Sequence, residues 1–394
     1  MRKISASYIF PVSSKPLKYG ILAVSDEGEI IDIIDTGGEL KESASMEYYN
    51  GILVPGFVNA HCHLELSYMK GLIDKANGLP DFLMQLSQKR RALPENLNEI
   101  IRSADNEMYA EGIVAVGDIS NDDFSFHVKE KSKLYYHTFI EVYWPSPDRS
   151  KEVYYKGEKL FNQLNEMNLP ASIVPHTPYS VSPELFELVH QHANKFKRIF
   201  SIHNQETKSE NELFKTHSGA ICELFEKIGA DMNSIKVTGK SSLQSVLSYF
   251  PSFQNILLIH NIYTEQSDID IAKSQSEKLF WILCPNSNLI IENRLPDVEL
   301  FIRNSLNIAL GTDSYSSNTE LSILGEIKTL AYNYPYLPLE LLIKWGTLNG
   351  AKALEIDNKF GSFEIGKNPG INLITAIDFV NMKLTKESRV KKLI

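Results

Sequence analysis

Eight short apolar runs, at 57–61, 113–118, 135–143, 172–176, 199–203, 255–260, 279–284 and 307–313, alternate with stretches of helical spacing. That alternation limits the available folds more than any other feature. After Pro94, for instance, Leu97, Ile100, Ile101, Ala104 and Met108 recur on one helical face, and Gly112 punctuates before the run IVAVGD. Strand followed by helix, repeated, predicts a parallel sheet, and eight strands is the number that closes a (β/α)8 barrel. The expected fold class is therefore α/β, a (β/α)8 TIM barrel over residues 55–354.

The two ends of the chain have a different texture. ASYIF, YGILAVS and EIIDIID are bounded by the turns DEG and TGG, and after residue 355 the sequence returns to FGSFEIG, NPG, INLITAI and VNMKL. Period-two apolarity between turn residues reads as short antiparallel strands. Residues 1–54 and 355–394 are thus expected to pair into a small composite β-sandwich beside the barrel.

Composition narrows the partners. A formal charge of −9 excludes a mainly nucleic-acid-binding role, and no apolar run approaches the roughly 20 residues that cross a bilayer. Three cysteines, Cys62, Cys222 and Cys284, without CxxC spacing make no disulfide framework. The expectation is a cytoplasmic protein with no nucleic-acid and no membrane partner, for which a homodimer is compatible.

Polar residues collect where the apolar runs stop. SIVPH ends at His176, IFSIH at His203, NILLIH at His260 and NIALGTD at Asp313, while FVNAH runs into His61 and His63. A barrel gathers its C-terminal strand ends at one face, so five strands aim imidazoles or a carboxylate at one place. Next to a strand, His61 and His63 share a side and can converge on one metal ion, with Cys62 turned away. A second HxH, His190 and His192, lies in a helical pattern, where two residues span about 200° and cannot chelate. Glu206 follows His203 by three residues, which sets a base beside a metal-bound histidine, as hydrolysis requires.

PGFVNAHCHLE, SIHNQE, LLIHN and LGTDSYSSN together resemble motifs of the amidohydrolase superfamily, and TLNGAKALEI with GSFEIGKNPG resembles its last helix and return strand. Gly370 to Asn372 departs from the Ala-Asp pair of many members. Binuclear members carry a carboxylated lysine at the fourth strand, where this chain has His176. The resemblance therefore implies one divalent ion, Zn²⁺ first and Fe²⁺ second, held by His61, His63, His203 and Asp313. HTPYSVSPEL is similar to the branch of nucleoside deaminases and chlorohydrolases, and HLELSYMKG and HNIYT are similar to aminodeoxyfutalosine deaminases.

The implied reaction is hydrolytic deamination of an adenine-type nucleoside from 6-amino to 6-oxo, with aminodeoxyfutalosine the favoured substrate. Glu206 would shuttle the proton, His260 would hydrogen-bond the attacking hydroxide and Asp313 would take the remaining proton. His176, Asn204 and Ser317 are expected to contact the ring or ribose. Glu65 either reaches a ribose hydroxyl or is an ordinary loop carboxylate. Residues 67–91 are long for a βα loop and read as a lid, and Lys89, Arg90 and Arg91 as a solvated helix end. The alternatives are another amidohydrolase reaction, on adenosylhomocysteine or methylthioadenosine, guanine, a pyrimidine or a cyclic amide, or an inactive scaffold.

Overall fold

The computed structural model describes residues 1–39, 45–74, 77–229 and 235–394. Strands β1 (Arg2–Ile9), β2 (Leu17–Lys18), β3 (Ile21–Val24), β4 (Ile30–Ile34) and β5 (Met46–Pro55) come first. They are followed by β6 (Phe57–Cys62), β7 (Ile113–Ser120), β8 (Tyr135–Val142) and β9 (Ala171–Pro175). Then come β10 (Phe200–Asn204), β11 (Ile256–His260), β12 (Leu279–Leu283) and β13 (Asn307–Leu310), and the chain ends with β14 (Ile371–Asp378) and β15 (Lys383–Lys392). Each of the eight apolar runs is a strand, β6 to β13, with helices between them. Most of these strands are buried along their whole length, which is why they read as continuous apolar runs rather than alternating ones.

β6 to β9 form one four-stranded parallel sheet and β10 to β13 another. Backbone bonds cross both gaps between the sheets. His203 N–H donates to the His176 carbonyl at 2.9 Å, and Thr312 and Asp313 N–H donate to the His61 carbonyl at 3.0 and 3.1 Å. Gly311 makes the second approach feasible: a Cβ there would lie 2.7 Å from the Cβ of His61. Site-bearing segments from opposite ends of the sequence are thus stitched together by main chain.

The remaining strands make a seven-stranded sheet in the order β15-β14-β5-β1-β3-β4, with β2 beside β1. Both termini contribute, since β14 pairs antiparallel with β5. Two expectations need correction. β1 and β5 run parallel rather than antiparallel, because the chain between them is long enough for the crossover that a parallel pair requires. FGSFEIG forms turns rather than a strand; it still joins the sheet edge, with Gly366 N–H donating to the Ile30 carbonyl at 2.9 Å and Ile30 N–H to the Lys367 carbonyl at 2.8 Å. Only Gly56 separates β5 from β6, and its N–H donates to the Pro369 carbonyl at 3.0 Å. The C-terminal segment therefore braces the point where the chain enters the parallel strands.

This pairing has a testable cost. Ile371, Leu373 and Ile374 of β14 are buried, and each fully buried aliphatic side chain contributes about 1.5 to 3 kcal/mol. Removing residues 355–394 is expected to bare the β5 edge and cost several kcal/mol, measured as a large drop in melting temperature and in soluble yield. A truncated chain as stable as the full one would show that the termini do not support each other. Among the described residues no helix is long and apolar enough to cross a membrane.

Candidate metal and active site

The strand ends do converge. Nε2 of His61 and Nε2 of His63 lie 3.7 and 3.5 Å from Oδ1 of Asp313, and Nε2 of His203 lies 3.3 Å from Nε2 of His63. Two Zn–N bonds of about 2.05 Å meeting at a tetrahedral angle would separate their nitrogens by about 3.3 Å, so this spacing suits a shared cation. His61 is fully buried, and among the described residues neither of its ring nitrogens has a hydrogen-bond partner. An unpaired buried polar group is costly, and a coordinated ion would satisfy it.

Electrostatics agree with that donor set. Burial pushes His63 down to about 3 and His203 well below the usual histidine range, so both imidazoles are neutral, the form that ligates. For Asp313 burial acts upward, yet the imidazoles of His61, His63 and His260 outweigh it and hold the carboxyl well below its usual range. The residues present fit one divalent ion bound by nitrogen and oxygen.

Neighbouring groups fix which atom of His203, Asp313 and His260 faces inward. Nδ1–H of His203 donates to the His176 carbonyl at 3.0 Å, leaving Nε2 free. Ser287 and Ser317 donate to Oδ2 of Asp313 at 2.7 and 2.8 Å, leaving Oδ1 toward the histidines. His260 donates from Nδ1 to the Asn288 side-chain oxygen at 2.9 Å, which aims Nε2 at Oε2 of Glu206, 3.6 Å away. His260 and Asp313 both have positive φ, 74° and 57°, strained backbone at the points where chain turns over the site.

Glu206 is buried beside this group. Burial raises its carboxyl well above the usual range, and Asp313 and Glu292 push it further. Its backbone is pinned by Glu210, whose carboxylate accepts the N–H groups of Gln205 and Glu206 at 3.0 and 3.3 Å.

A cavity of about 580 Å³ opens over His63, Glu65, Glu141 and His176, a size usual for small-ligand sites. The segment after β6 forms a short turn, Leu64–Met69, and a helix, Leu79–Lys89. Leu83, Leu86 and Ser87 of that helix, with Arg90 and Arg91 after it, make one wall. Glu292 holds the helix start, accepting the Leu79 N–H at 2.8 Å. Arg90 and Arg91 both line the cavity; Arg90 is half-buried there, in contrast to the expected solvated helix end, whereas Arg91 stays exposed as expected. The partial burial of Arg90 draws on long-range packing that local charge patterning does not reveal.

The expected substrate contacts divide. His176 lines the cavity, its Nδ1 2.9 Å from Ser180 Oγ. Glu65 also lines it, but both of its oxygens accept backbone N–H groups, from Asn121 at 3.0 and 3.1 Å and from Asp122 at 3.3 Å. Burial raises Glu65 to about 7 despite those amides. Asn204 and Ser317 are turned elsewhere. Successive strand residues face opposite ways, so with His203 directed inward, Asn204 points back and donates to the Asn261 side chain at 2.9 Å. Ser317 is engaged by Asp313, as above. His190 and His192 stand apart from the cluster: His190 lies 2.9 Å from the Tyr249 carbonyl and His192 packs on Phe161.

Sequence reasoning missed Glu141, Ser287, Asn288 and Asp118. The signal for Asp118 was the one already in use, since it ends the run 113–118, whereas Glu141 lies two residues inside the end of the run 135–143. Asp118 pairs with the buried Lys129 at 2.6 Å and accepts the Leu64 N–H at 2.7 Å, directly after His63.

Comparison with known proteins agrees with this architecture. The chain is 28% identical over 349 residues to an adenosine deaminase from Helicobacter pylori, covering 87% of this chain and 82% of that protein. It is 25% identical over 357 residues to an aminodeoxyfutalosine deaminase from Nitratiruptor sp., covering 88% and 84%. The crystal structure of Helicobacter pylori aminofutalosine deaminase with methylthio-coformycin has the same fold, with a TM-score of 0.84 over the whole of both chains at 24% identity. The model of the amidohydrolase family matches residues 52–393, and this chain belongs to that family.

Proposed function

We propose that this protein is a mononuclear, metal-dependent deaminase that converts the 6-amino group of an adenine nucleoside to 6-oxo with release of ammonia. The observation that carries the reading is the convergence of His61, His63, His203 and Asp313 beside the Glu206–His260 pair. The deaminase names of two relatives that each align with most of the chain support it. In this reading the eight parallel strands over 55–354 close as a barrel, which the backbone bonds across both gaps support. Residues 1–54 and 355–394 make a separate composite β-sandwich, which their own apolar cluster supports, including Ile4, Leu22, Leu53, Ile371 and Leu373. Three free cysteines suit a reducing cytoplasm.

Three imidazoles and one carboxylate suit zinc first and ferrous iron second. Such an ion, when bound, lowers the pKa of water toward neutrality and thereby provides the nucleophile. Glu206 accepts a proton from the attacking water and delivers it to a ring nitrogen. His260 hydrogen-bonds the attacking oxygen from the side opposite Asn288, and Asp313 receives the second proton and passes it to the departing amino group, which leaves as ammonia. One C–O bond forms, the exocyclic C–N bond breaks, and water plus amine become the oxo product and ammonia.

The cavity wall guides the choice of substrate. Tyr68, Leu83, Leu86, Leu93, Phe124 and Tyr143 are apolar or aromatic, and Arg90 and Arg91 bring positive charge to a wall that also holds Glu65, Asp122 and Glu141. That lining suits an aromatic, negatively charged 5′ substituent, and so aminodeoxyfutalosine before adenosine, methylthioadenosine or adenosylhomocysteine. Incubating purified enzyme with this panel should turn an adenine-type ultraviolet spectrum into a hypoxanthine-type one, with the highest kcat/KM for aminodeoxyfutalosine. If the adenine compounds stay unchanged while guanine, a pyrimidine or a cyclic amide is hydrolysed, the purine reading fails.

A further inference from the structure

A line of polar contacts runs from the helix covering the cavity to the histidine cluster. Arg90 follows that helix, and its Nη2 donates to Oδ1 of Asn121 at 3.3 Å. The amide nitrogen of Asn121 donates to Oε2 of Glu141 at 3.0 Å and to the Glu141 carbonyl at 3.1 Å. The other oxygen, Oε1 of Glu141, lies 3.3 Å from Nδ1 of His203, beside the bond from that nitrogen to the His176 carbonyl. Glu141 is buried, and among the described residues this oxygen has no hydrogen-bond partner. Among those residues Arg90 also makes no ion pair within 4.0 Å, although burial and its facing Glu65, Glu141 and Tyr143 act on its charge.

We propose that Glu141 is a positioning residue for His203, and that Arg90, acting through Asn121, makes this support depend on the covering helix being seated. The inference rests on His203 being a metal ligand. A carboxylate beside the outer nitrogen of a ligating imidazole fixes the ring and raises its basicity, so the inner nitrogen binds more tightly. The carbonyl of His176 alone would orient the ring without that charge. Asn121 holds the carboxylate in register, and it cannot do so equally well if its own oxygen loses the guanidinium. Glu141 could also be imagined with His176 and His203 around a separate ion, since donor atoms of the three lie within 4.8 Å of one another. Nδ1 of His203 already donates to a carbonyl, however, so it offers no lone pair in that direction.

The test is zinc retention by full-length protein against a chromophoric chelator, with thermal unfolding of the metal-free protein measured in parallel. Glu141→Gln is expected to weaken retention about 10- to 100-fold while leaving the metal-free melting temperature near that of the wild type. Arg90→Met, at a less buried position and so a safe variant to fold, should weaken retention in the same direction by a smaller factor. The double variant should lose no more than Glu141→Gln alone, because the two act along one line, and Glu141→Asp should recover part of the loss. Wild-type retention in Glu141→Gln, while His203→Ala releases zinc, would overturn the inference and leave the metal assignment standing. Independent, additive losses would overturn the part assigned to Arg90. If His203→Ala itself retained zinc, the metal reading beneath the inference would be the one to fall.

Discussion

Glu206→Gln is expected to lower turnover by two to four orders of magnitude while the protein keeps its metal. The substitution is nearly isosteric and lies at a buried position, so packing is preserved. What it removes is the capacity to take a proton from water and return it to the ring, a contribution of about 10²- to 10⁴-fold for a positioned general acid–base, or about 3 to 5 kcal/mol of barrier. Folding should not suffer, because the carboxyl is already held well above its usual range by burial and by the nearby Asp313 and Glu292. The decisive comparison is kcat beside metal content in one preparation. Normal turnover in Glu206→Gln would reassign the proton shuttle, and loss of the ion would make Glu206 a ligand.

His61→Ala should act in the opposite way, by losing the ion and with it nearly all activity. In the metal-free protein His61 is fully buried with both ring nitrogens unpartnered, so removing the ring relieves a desolvated polar group and costs little stability beyond the cavity it leaves. The contrast appears on adding zinc. A ligand that binds only the folded state at a hundredfold excess over its Kd stabilises by about 2.7 kcal/mol. The wild type should therefore melt at higher temperature with zinc than without, and His61→Ala should not respond. A variant that gains the same zinc-dependent stabilisation would show that His61 is not part of the site.

The parts of the molecule that could be read from sequence are those set by local order. β6 to β13 were legible because strands buried on both faces are unbroken apolar runs, and His61, His203, His260 and Asp313 were legible because each sits where such a run stops. Asn204 shows the limit of the same rule: period two along β10 carries it away from His203, a step the sequence contained and the strand-end rule overlooked. Ser317 belongs to the same segment as Asp313 but spends its hydroxyl on that carboxylate, which only the fold of the loop determines. Arg90 and Glu65 depend on contacts across the cavity, to Asn121 and Asp122 of a different strand end, and nothing near either residue announces them. The parallel pairing of β1 with β5 was likewise hidden, because alternation reports a half-buried strand and says nothing about the direction of its neighbour.

The central claim is that one ion sits among His61, His63, His203 and Asp313. An anomalous difference map collected at the zinc edge from crystals of the purified protein tests it most directly. The account predicts a single strong peak per chain, about 2.0 to 2.1 Å from the inner nitrogens of the three histidines and about 2.0 to 2.2 Å from Oδ1 of Asp313. Two peaks of similar height, or one peak among Glu141, His176 and His203 with His61 left unbound, would contradict it.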